Sequence, residues 1–367
     1  MPSVAAADVP VWHRPAPTQE KLDYADLAVV DLSKWPEKKH ELVQDLRVAV
    51  CQVGFWVVEN TGITDDEVVR QISIGNAYLD LPLEEKRPHA CDFKNGNFFG
   101  FREGFRLMGD TTIKDNSEAI CLPKITSCHA DDFPPSAFLE PFKPEIEAFQ
   151  RKVHQRVLIP LLKLFALLLE LPEDYFSAPH EWDRPSEDHL RIMRYIPNPA
   201  EVDDLLPDKQ YLNGHTDFGL VTLLFAQVVQ GLQLRTQDGS WKHVRYIPDT
   251  IVVNTADILS FASGGYLKST IHRVIRPPED QAHVPRVGLF YFSRAAWDYP
   301  ANKIAPSPVL ERLGIYKPDV TSTDDVISGF EFTRARVKHS WDRPRYGDSE
   351  FRTGFKHKGL QVRTDYE

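Results

Sequence analysis

His215, Thr216 and Asp217 form a His-x-Asp triplet, and a further histidine, His272, follows in the segment KSTIHRVIRP. In an extended strand, residues two apart face the same side, so His215 and Asp217 are expected to point together into an interior while Thr216 points out. A later strand must then supply a third ligand, and His272 is the candidate. Two imidazoles and one carboxylate on one face of an octahedron leave three adjacent positions free. That donor set suits iron(II) working with dioxygen and a chelating partner. Singly, each residue is weak: with 13 histidines in the chain a His-x-Asp triplet arises by chance, and His272 reads equally well as a satisfied core histidine. The order His-x-Asp, His, Arg across successive β segments is more specific, because Arg286 comes next, in HVPRVGLFYF.

An arginine facing inward on an apolar strand is a costly buried charge unless it is paired. A ligand carboxylate meets that need. 2-Oxoglutarate carries one carboxylate beside a keto group that together chelate a metal, and a second carboxylate at its far end for the guanidinium fork. An internal salt bridge or a surface position is the plainer alternative for Arg286.

The elements that must position these residues fall into two halves. Residues 1–26, rich in Pro and Ala without periodicity, read as an extended N-terminal arm. Residues 27–184 read as a helical, mixed N-terminal domain that opens strand, helix, strand (LAVVDLS, KKHELVQDLRVAVCQ, GFWVVENTG). A second amphipathic helix starts at Thr64, an N-cap before two acids, and stops near Leu81-Pro82. The Gly-, Asn- and aromatic-rich stretch 91–130 reads as loops and short strands facing a ligand. From Lys143 to Leu171, Ile146, Phe149, Val153, Val157, Leu161, Leu164 and Leu168 recur at helical spacing, so one long helix bent at Pro160 is expected to back a sheet. Residues 185–337 change character: HLRIMRYI, GLVTLLFAQ, GLQLRT, WKHVRYI, TIVVNTADILSFA, STIHRVIRP and RVGLFYFSR read as strands spaced as in a β-sandwich or jelly roll. One more helix is expected in TSTDDVISGFEFTRARVKHSW, with a polar tail over 338–367.

Composition narrows the partners. A net charge of -10, from 53 acids against 43 bases, opposes contact with nucleic acid or an anionic membrane surface. The 4 cysteines show no C-x-x-C spacing and are expected as reduced thiols in a cytoplasmic protein. The longest apolar run, Val157 to Leu171, is broken by Pro160 and Lys163 and falls short of the ~20 residues that span a bilayer.

Three stretches carry a family resemblance that runs from about Leu27 to Val337. AVVDLSKW through VAVCQVGFWVVENTGI, then NGHTDFGLVTLL, then VVNTADILSFASGGYLKSTIHRV resemble the isopenicillin N synthase-like branch of the iron(II)/2-oxoglutarate-dependent dioxygenases. The resemblance implies an α+β fold with a double-stranded β-helix (jelly-roll) core and a helical N-terminal region packed against it. It implies His215, Asp217 and His272 as ligands of Fe(II), Arg286 as the anchor of 2-oxoglutarate, Tyr195 or its neighbour Arg194 reaching the same cosubstrate, and O2 as the second cosubstrate. In NFFGFREGF, the residues Phe99, Phe101 and Arg102 fall where the family has a loop over the substrate pocket, so Arg102 is expected to pair an anionic substrate group. The implied reaction is hydroxylation, desaturation or oxidative cyclisation of a small organic molecule in secondary metabolism. One departure stands out: the family's Arg-x-Ser is Arg286-Val287-Gly288 here, so Gly288→Ser is expected to tighten 2-oxoglutarate binding. Two alternatives stay open: a related iron oxidase that keeps the arginine motif without using 2-oxoglutarate, and a catalytically silent jelly-roll metal-binding module.

Overall fold

Short β-branched and aromatic runs punctuated by Gly, Pro and Asp turns give the strands that build the site. The computed structural model describes residues 8–104, 107–108, 111–317, 326–342, 355–358 and 360–362. In chain order the strands of the two main sheets are β1 (Val29–Asp31), β2 (Phe55–Glu59), β3 (Gly100–Arg102), β4 (Ser117–Pro123), β5 (His189–Tyr195), β6 (Gln210–His215), β7 (Val221–Phe225), β8 (Leu232–Arg235), β9 (Trp241–His243), β10 (Ile251–Thr255), β11 (His272–Ile275) and β12 (Arg286–Phe292). A larger sheet has the order β1-β2-β10-β7-β12-β5-β4-β3, and a smaller one the order β6-β11-β8-β9. All neighbours pair antiparallel except β1 with β2.

Alternation along β5 and β12 divides the larger sheet into two faces. Leu190, Ile192, Leu289 and Tyr291 join the main core with the helices. The other face carries His189, Arg191, Met193 and Tyr195 on β5 and Arg286, Gly288, Phe290 and Phe292 on β12, with these residues paired in register. Met193, Tyr195 and Phe290 pack with Tyr211 and Val274 of the smaller sheet, so this face lines the space between the sheets.

Helices close the outer face. Thr64 caps the helix Asp65–Leu79 through a reciprocal capping box with Glu67. Gly75 brings that helix close to β5, since a β-carbon there would stand 2.5 Å from Ile192 Cγ1. The expected long helix is Lys143–Val153 continuing into Ile159–Leu168. Its irregularity is a π turn, His154–Leu158, just ahead of Pro160, which accommodates the amide donor that proline lacks. Residues 8–26 lie extended on the body, tied by Trp12 N–H to Ser73 Oγ at 2.9 Å and by Arg14 to Asp65 at 2.8 Å.

Three expectations are corrected. The boundary at 184/185 separates helix-rich from strand-rich sequence but not the sheet, because β1 and β2 complete one edge of the larger sheet and β3 and β4 the other. The run TIVVNTADILSFA is not one strand: β10 ends at Thr255 and Asp257–Ala262 is a helical turn. The last helix is Gly329–Asp342, starting later than expected; residues 321–325 of its expected start, and much of the expected tail, lie outside the described residues. Among the described residues, no helix is long and apolar enough to cross a membrane.

Candidate metal centre and the pocket beside it

Antiparallel pairing of β6 with β11 sets His215 directly opposite His272, with ring centroids 4.3 Å apart. Asp217 arrives differently from the expectation. β6 stops at His215, so Asp217 lies beyond the strand and strand alternation does not aim it. The connection to β7 does, and it is fixed by backbone bonds: Asp257 N–H donates to the Asp217 carbonyl at 2.8 Å and Ile258 N–H to the Gly219 carbonyl at 3.0 Å. Asp217 Oδ1 stands 3.8 Å from His215 Nε2, and Oδ2 stands 3.8 Å from His272 Nε2. One ligand atom from each of the three residues lies within 4.8 Å of the others, close enough for a single ion.

The surroundings prepare these atoms. His215 Nδ1 is 2.9 Å from the Asn213 carbonyl and His272 Nδ1 is 3.1 Å from the Thr270 carbonyl. Each bond holds the ring proton on Nδ1 and leaves the Nε2 lone pair facing Asp217. Asp217 Oδ2 accepts from Thr222 Oγ1 at 2.6 Å and from Asn254 Nδ2 at 3.0 Å. Burial alone would raise the Asp217 carboxyl, but His272, His215 and these two donors hold it well below the usual carboxylate range. Two imidazoles and one ionised carboxylate, all with free lone pairs converging, fit an iron(II) ion with open positions.

Arg286 is opposite Tyr195 in the β12–β5 register, with its guanidinium 5.7 Å from the Tyr195 ring centre. It is 2% exposed, and its Nε donates to the Val229 carbonyl at 3.2 Å. Burial pushes its pKa down to about 10. No carboxylate of the described residues stands within ion-pair distance, so the internal salt bridge considered from sequence is not what accounts for this buried charge. A ligand carboxylate fits it. Gly288 weighs against the expected benefit of a serine: a β-carbon there would overlap Gln227 Nε2, so that side chain would have to shift, and would stand 2.8 Å from Phe290 Cε2.

The residues expected over the substrate pocket separate. Phe99 lies beside His129 and His189, with ring centroids at 5.0 Å and 6.1 Å. Phe101 is corrected to the main core, where it meets Tyr78; its position on β3 turns it to the helical face, opposite to Gly100 and Arg102. Arg102 is corrected too, because Asp115 holds its guanidinium at 2.9 Å and Ser117 at 3.0 Å, which matches its charge internally. In its place, Arg191, Arg294, Phe98, Phe218 and Phe292 gather near the metal ligands. Part of this was readable: Arg286, Gly288, Phe290, Phe292 and Arg294 keep one parity, so a period-2 reading continued past the strand end reaches Arg294. Phe98, Phe218 and Gln227 lie on connections and carry no such signal.

Comparison with known proteins follows the same lines. Residues 187–295 match the family model of the 2OG-Fe(II) oxygenase superfamily, and residues 27–127 match that of the non-haem dioxygenase in morphine synthesis N-terminal region. The chain is 32% identical over 242 residues to the UPF0676 protein C1494.01 of Schizosaccharomyces pombe, covering 64% of this chain and 72% of that protein. It is 27% identical over 342 residues to the 2-oxoglutarate-dependent dioxygenase frbH of Dothideomycetidae sp., covering 85% and 97%. The fold matches that of a full-length Neurospora crassa protein solved in complex with alpha-KG, with a TM-score of 0.73 at 22% identity, over 87% of this chain and 99% of that one.

Proposed function

The chain belongs to the 2OG-Fe(II) oxygenase superfamily, and from that premise we propose that His215, Asp217 and His272 hold its iron while Arg286, with Tyr195 beside it, anchors 2-oxoglutarate. It is an iron(II)- and 2-oxoglutarate-dependent dioxygenase acting on a small organic molecule. Secondary metabolism is the setting that fits relatives of this kind. The observation that carries the residue assignment is the convergence of three ligand atoms within 4.8 Å on β6, its following turn and β11.

When bound, iron, 2-oxoglutarate and dioxygen would supply the oxidation: 2-oxoglutarate would go to succinate and carbon dioxide, taking one oxygen atom, and the other would end in the hydroxylated substrate or, for desaturation or cyclisation, in water with the two hydrogens removed. The chain itself contributes placement. The Nδ1 bonds to Asn213 and Thr270 fix both imidazole planes, and Thr222 and Asn254 fix the carboxylate. Arg286 offers a planar pair of donors to the distal carboxylate in a site that water does not screen. The absence of a counter-ion for it among the described residues favours a carboxylate cosubstrate over an oxidase that uses none. The proposal extends to a cytoplasmic location without nucleic-acid or membrane partners. Four free cysteines and the net charge of -10 support it.

The test is an anaerobic titration of iron-loaded protein with 2-oxoglutarate, following the visible charge-transfer band, together with iron content and succinate release. His215→Ala, Asp217→Ala and His272→Ala should each lose iron, the band and turnover with circular dichroism unchanged. Arg286→Leu should weaken 2-oxoglutarate binding by about 2 to 5 kcal/mol, roughly thirty-fold or more, with Arg286→Lys in between. Normal turnover in any of the three ligand variants removes that residue from the metal. An unchanged Arg286→Leu titration removes the arginine from the cosubstrate site.

A further inference from the structure

A second arginine is buried, with no ion pair among the described residues, beyond the end of β12 farther from Arg286. Arg294 is 2% exposed, and its Nε and Nη1 have no hydrogen-bond partner. Three rings box its guanidinium, Phe218 at 3.9 Å, Phe292 at 5.0 Å and Phe98 at 5.7 Å from their centres. Arg191 shares the Phe292 ring, at 4.5 Å, so two like charges meet on one aromatic side chain. Arg191 donates to Cys121 Sγ at 3.1 Å and lies 3.3 Å from His189 Nε2, neither of which is a carboxylate. The nearby acids are committed: Asp217, whose charge favours the Arg294 guanidinium most, is held by Thr222 and Asn254 and faces the two histidines, Glu187 pairs with Arg334 at 2.7 Å, and Asp188 accepts from the Arg294 backbone N–H at 2.6 Å and from Tyr291 at 3.4 Å. Aromatic faces attract a cation but replace lost hydration only in part, so this arrangement calls for an anion from outside the described residues.

The box adjoins the metal centre. Phe218 follows Asp217 directly, and Phe292 is in register with Thr222, whose hydroxyl holds the Asp217 carboxylate. We propose that Arg294, assisted by Arg191, binds a carboxylate of the substrate while the substrate's planar apolar body lies against Phe98, Phe218 and Phe292. The substrate class is thus a small aromatic or unsaturated carboxylic acid. This rests on the iron and 2-oxoglutarate reading. The test titrates iron-loaded protein, saturated with 2-oxoglutarate under nitrogen, with benzoate, phenylacetate and 3-phenylpropionate and with the three corresponding amides, reading the perturbation of the visible band. At least one acid should bind ten-fold or more tightly than its amide, and Arg294→Gln should abolish that preference. Separately, Arg294→Met should raise the Tm of the ligand-free protein, because it removes an unneutralised buried charge. The inference is overturned if no acid binds, if the amides bind as well, if the preference survives in Arg294→Gln, or if Arg294→Met lowers the Tm. Absence of the band in the wild type would instead bring down the underlying reading, a distinction the titration makes before any acid is added.

A different observation concerns the cosubstrate end. Gln227 follows β7, and its amide fills the space that a side chain at position 288 would need, on the face of β12 that carries Arg286. Both its Nε2 and its Oε1 are buried without a hydrogen-bond partner, while the Val229 carbonyl two residues on accepts from Arg286. A buried amide N–H without an acceptor, beside a buried guanidinium with no carboxylate among the described residues, is costly in both groups, and one ligand carboxylate can accept from Gln227 Nε2 and from Arg286 together. The geometry assigns to Gln227 the donor role of the serine missing at Gly288. In the anaerobic titration, Gln227→Ala should weaken 2-oxoglutarate binding about ten-fold. Gly288→Ser alone should weaken it by collision, and Gln227→Ala combined with Gly288→Ser should recover most of the loss. A Kd unchanged or tighter in Gln227→Ala, or no recovery in the double variant, overturns the assignment. Arg286→Leu measured alongside separates this from failure of the cosubstrate site as a whole, since it would then also leave the Kd unchanged.

Discussion

Asp217 is a good ligand because two neutral side chains hold one of its oxygens, Thr222 Oγ1 at 2.6 Å and Asn254 Nδ2 at 3.0 Å. Both come from the larger sheet, whereas the two histidines belong to the smaller one. Removing either donor frees the carboxylate to turn, so Thr222→Val and Asn254→Ala should each cut iron affinity about ten- to a hundred-fold, measured by competition with a chelator. Unchanged affinity in both would mean that the turn after β6 positions Asp217 unaided. The arginines teach a related lesson. Arg102 and Arg286 are both buried, yet Arg102 has Asp115 and Ser117, and Arg286 has a backbone carbonyl. Arg102→Met therefore strands a buried Asp115 and should lower stability by about 3 to 5 kcal/mol in urea unfolding while 2-oxoglutarate binding persists. A Kd raised as much as by Arg286→Leu would return Arg102 to the pocket. Residue type in sequence does not separate these two cases; the counter-ion does.

At the scale of elements, the helix Asp65–Leu79 supports the strand that carries Arg191, Met193 and Tyr195 from behind. Its close approach depends on Gly75, where a β-carbon would lie 2.5 to 2.7 Å from three atoms of Ile192. Alanine is the better helix former by about 1 kcal/mol, but here it forces the helix off β5. Gly75→Ala should destabilise the protein by about 1 to 3 kcal/mol, read as a lowered urea midpoint at constant slope. A midpoint at or above the wild type would show that Ile192 yields freely. The helix and its Thr64 cap were legible in the order Thr, Asp, Asp, Glu before an apolar period. The glycine's contact partner was not, because Ile192 is remote in the chain.

Across the whole molecule, buried ionisable groups set the response to acid. Burial lowers His180 to about 4, and burial, then Arg191 and Arg294, holds His189 well below its ordinary value. Both are neutral in the native state, whereas in the unfolded chain they gain protons as pH falls through about 6.5. The unfolded state then binds more protons, so their contribution is lost as pH falls from about 6.5 toward 4. Glu187 acts with the opposite sign: burial raises it to about 7, so the native state holds a proton between roughly 4.5 and 7 that the unfolded state has lost. With two histidines against one glutamate, the urea midpoint of the metal-free protein should fall between pH 6.5 and pH 5, by an amount on the order of a few kcal/mol in stability. Glu187→Gln should steepen the fall. A flat or rising midpoint over that range would contradict the neutral burial of His180 and His189.

Sequence alone determined the order of the chemistry-bearing residues, the strand and helix periods, the capped helix and the interior parity of β12. These are local properties, readable because side-chain direction repeats every two residues in a strand and about every 3.6 in a helix. It did not determine that β1 to β4 share a sheet with β12, that Asp217 is aimed by a turn beyond its strand, that Phe101 faces the helices, or that Gln227 fills the space at Gly288. Periodicity states which way a side chain points; what stands opposite comes from another part of the chain, and only the folded packing brings the two together. The charges follow the same division: an arginine is legible as a residue, but its role depends on whether the fold delivers a carboxylate to it, as for Arg102, or leaves it without a paired carboxylate among the described residues, as for Arg286 and Arg294.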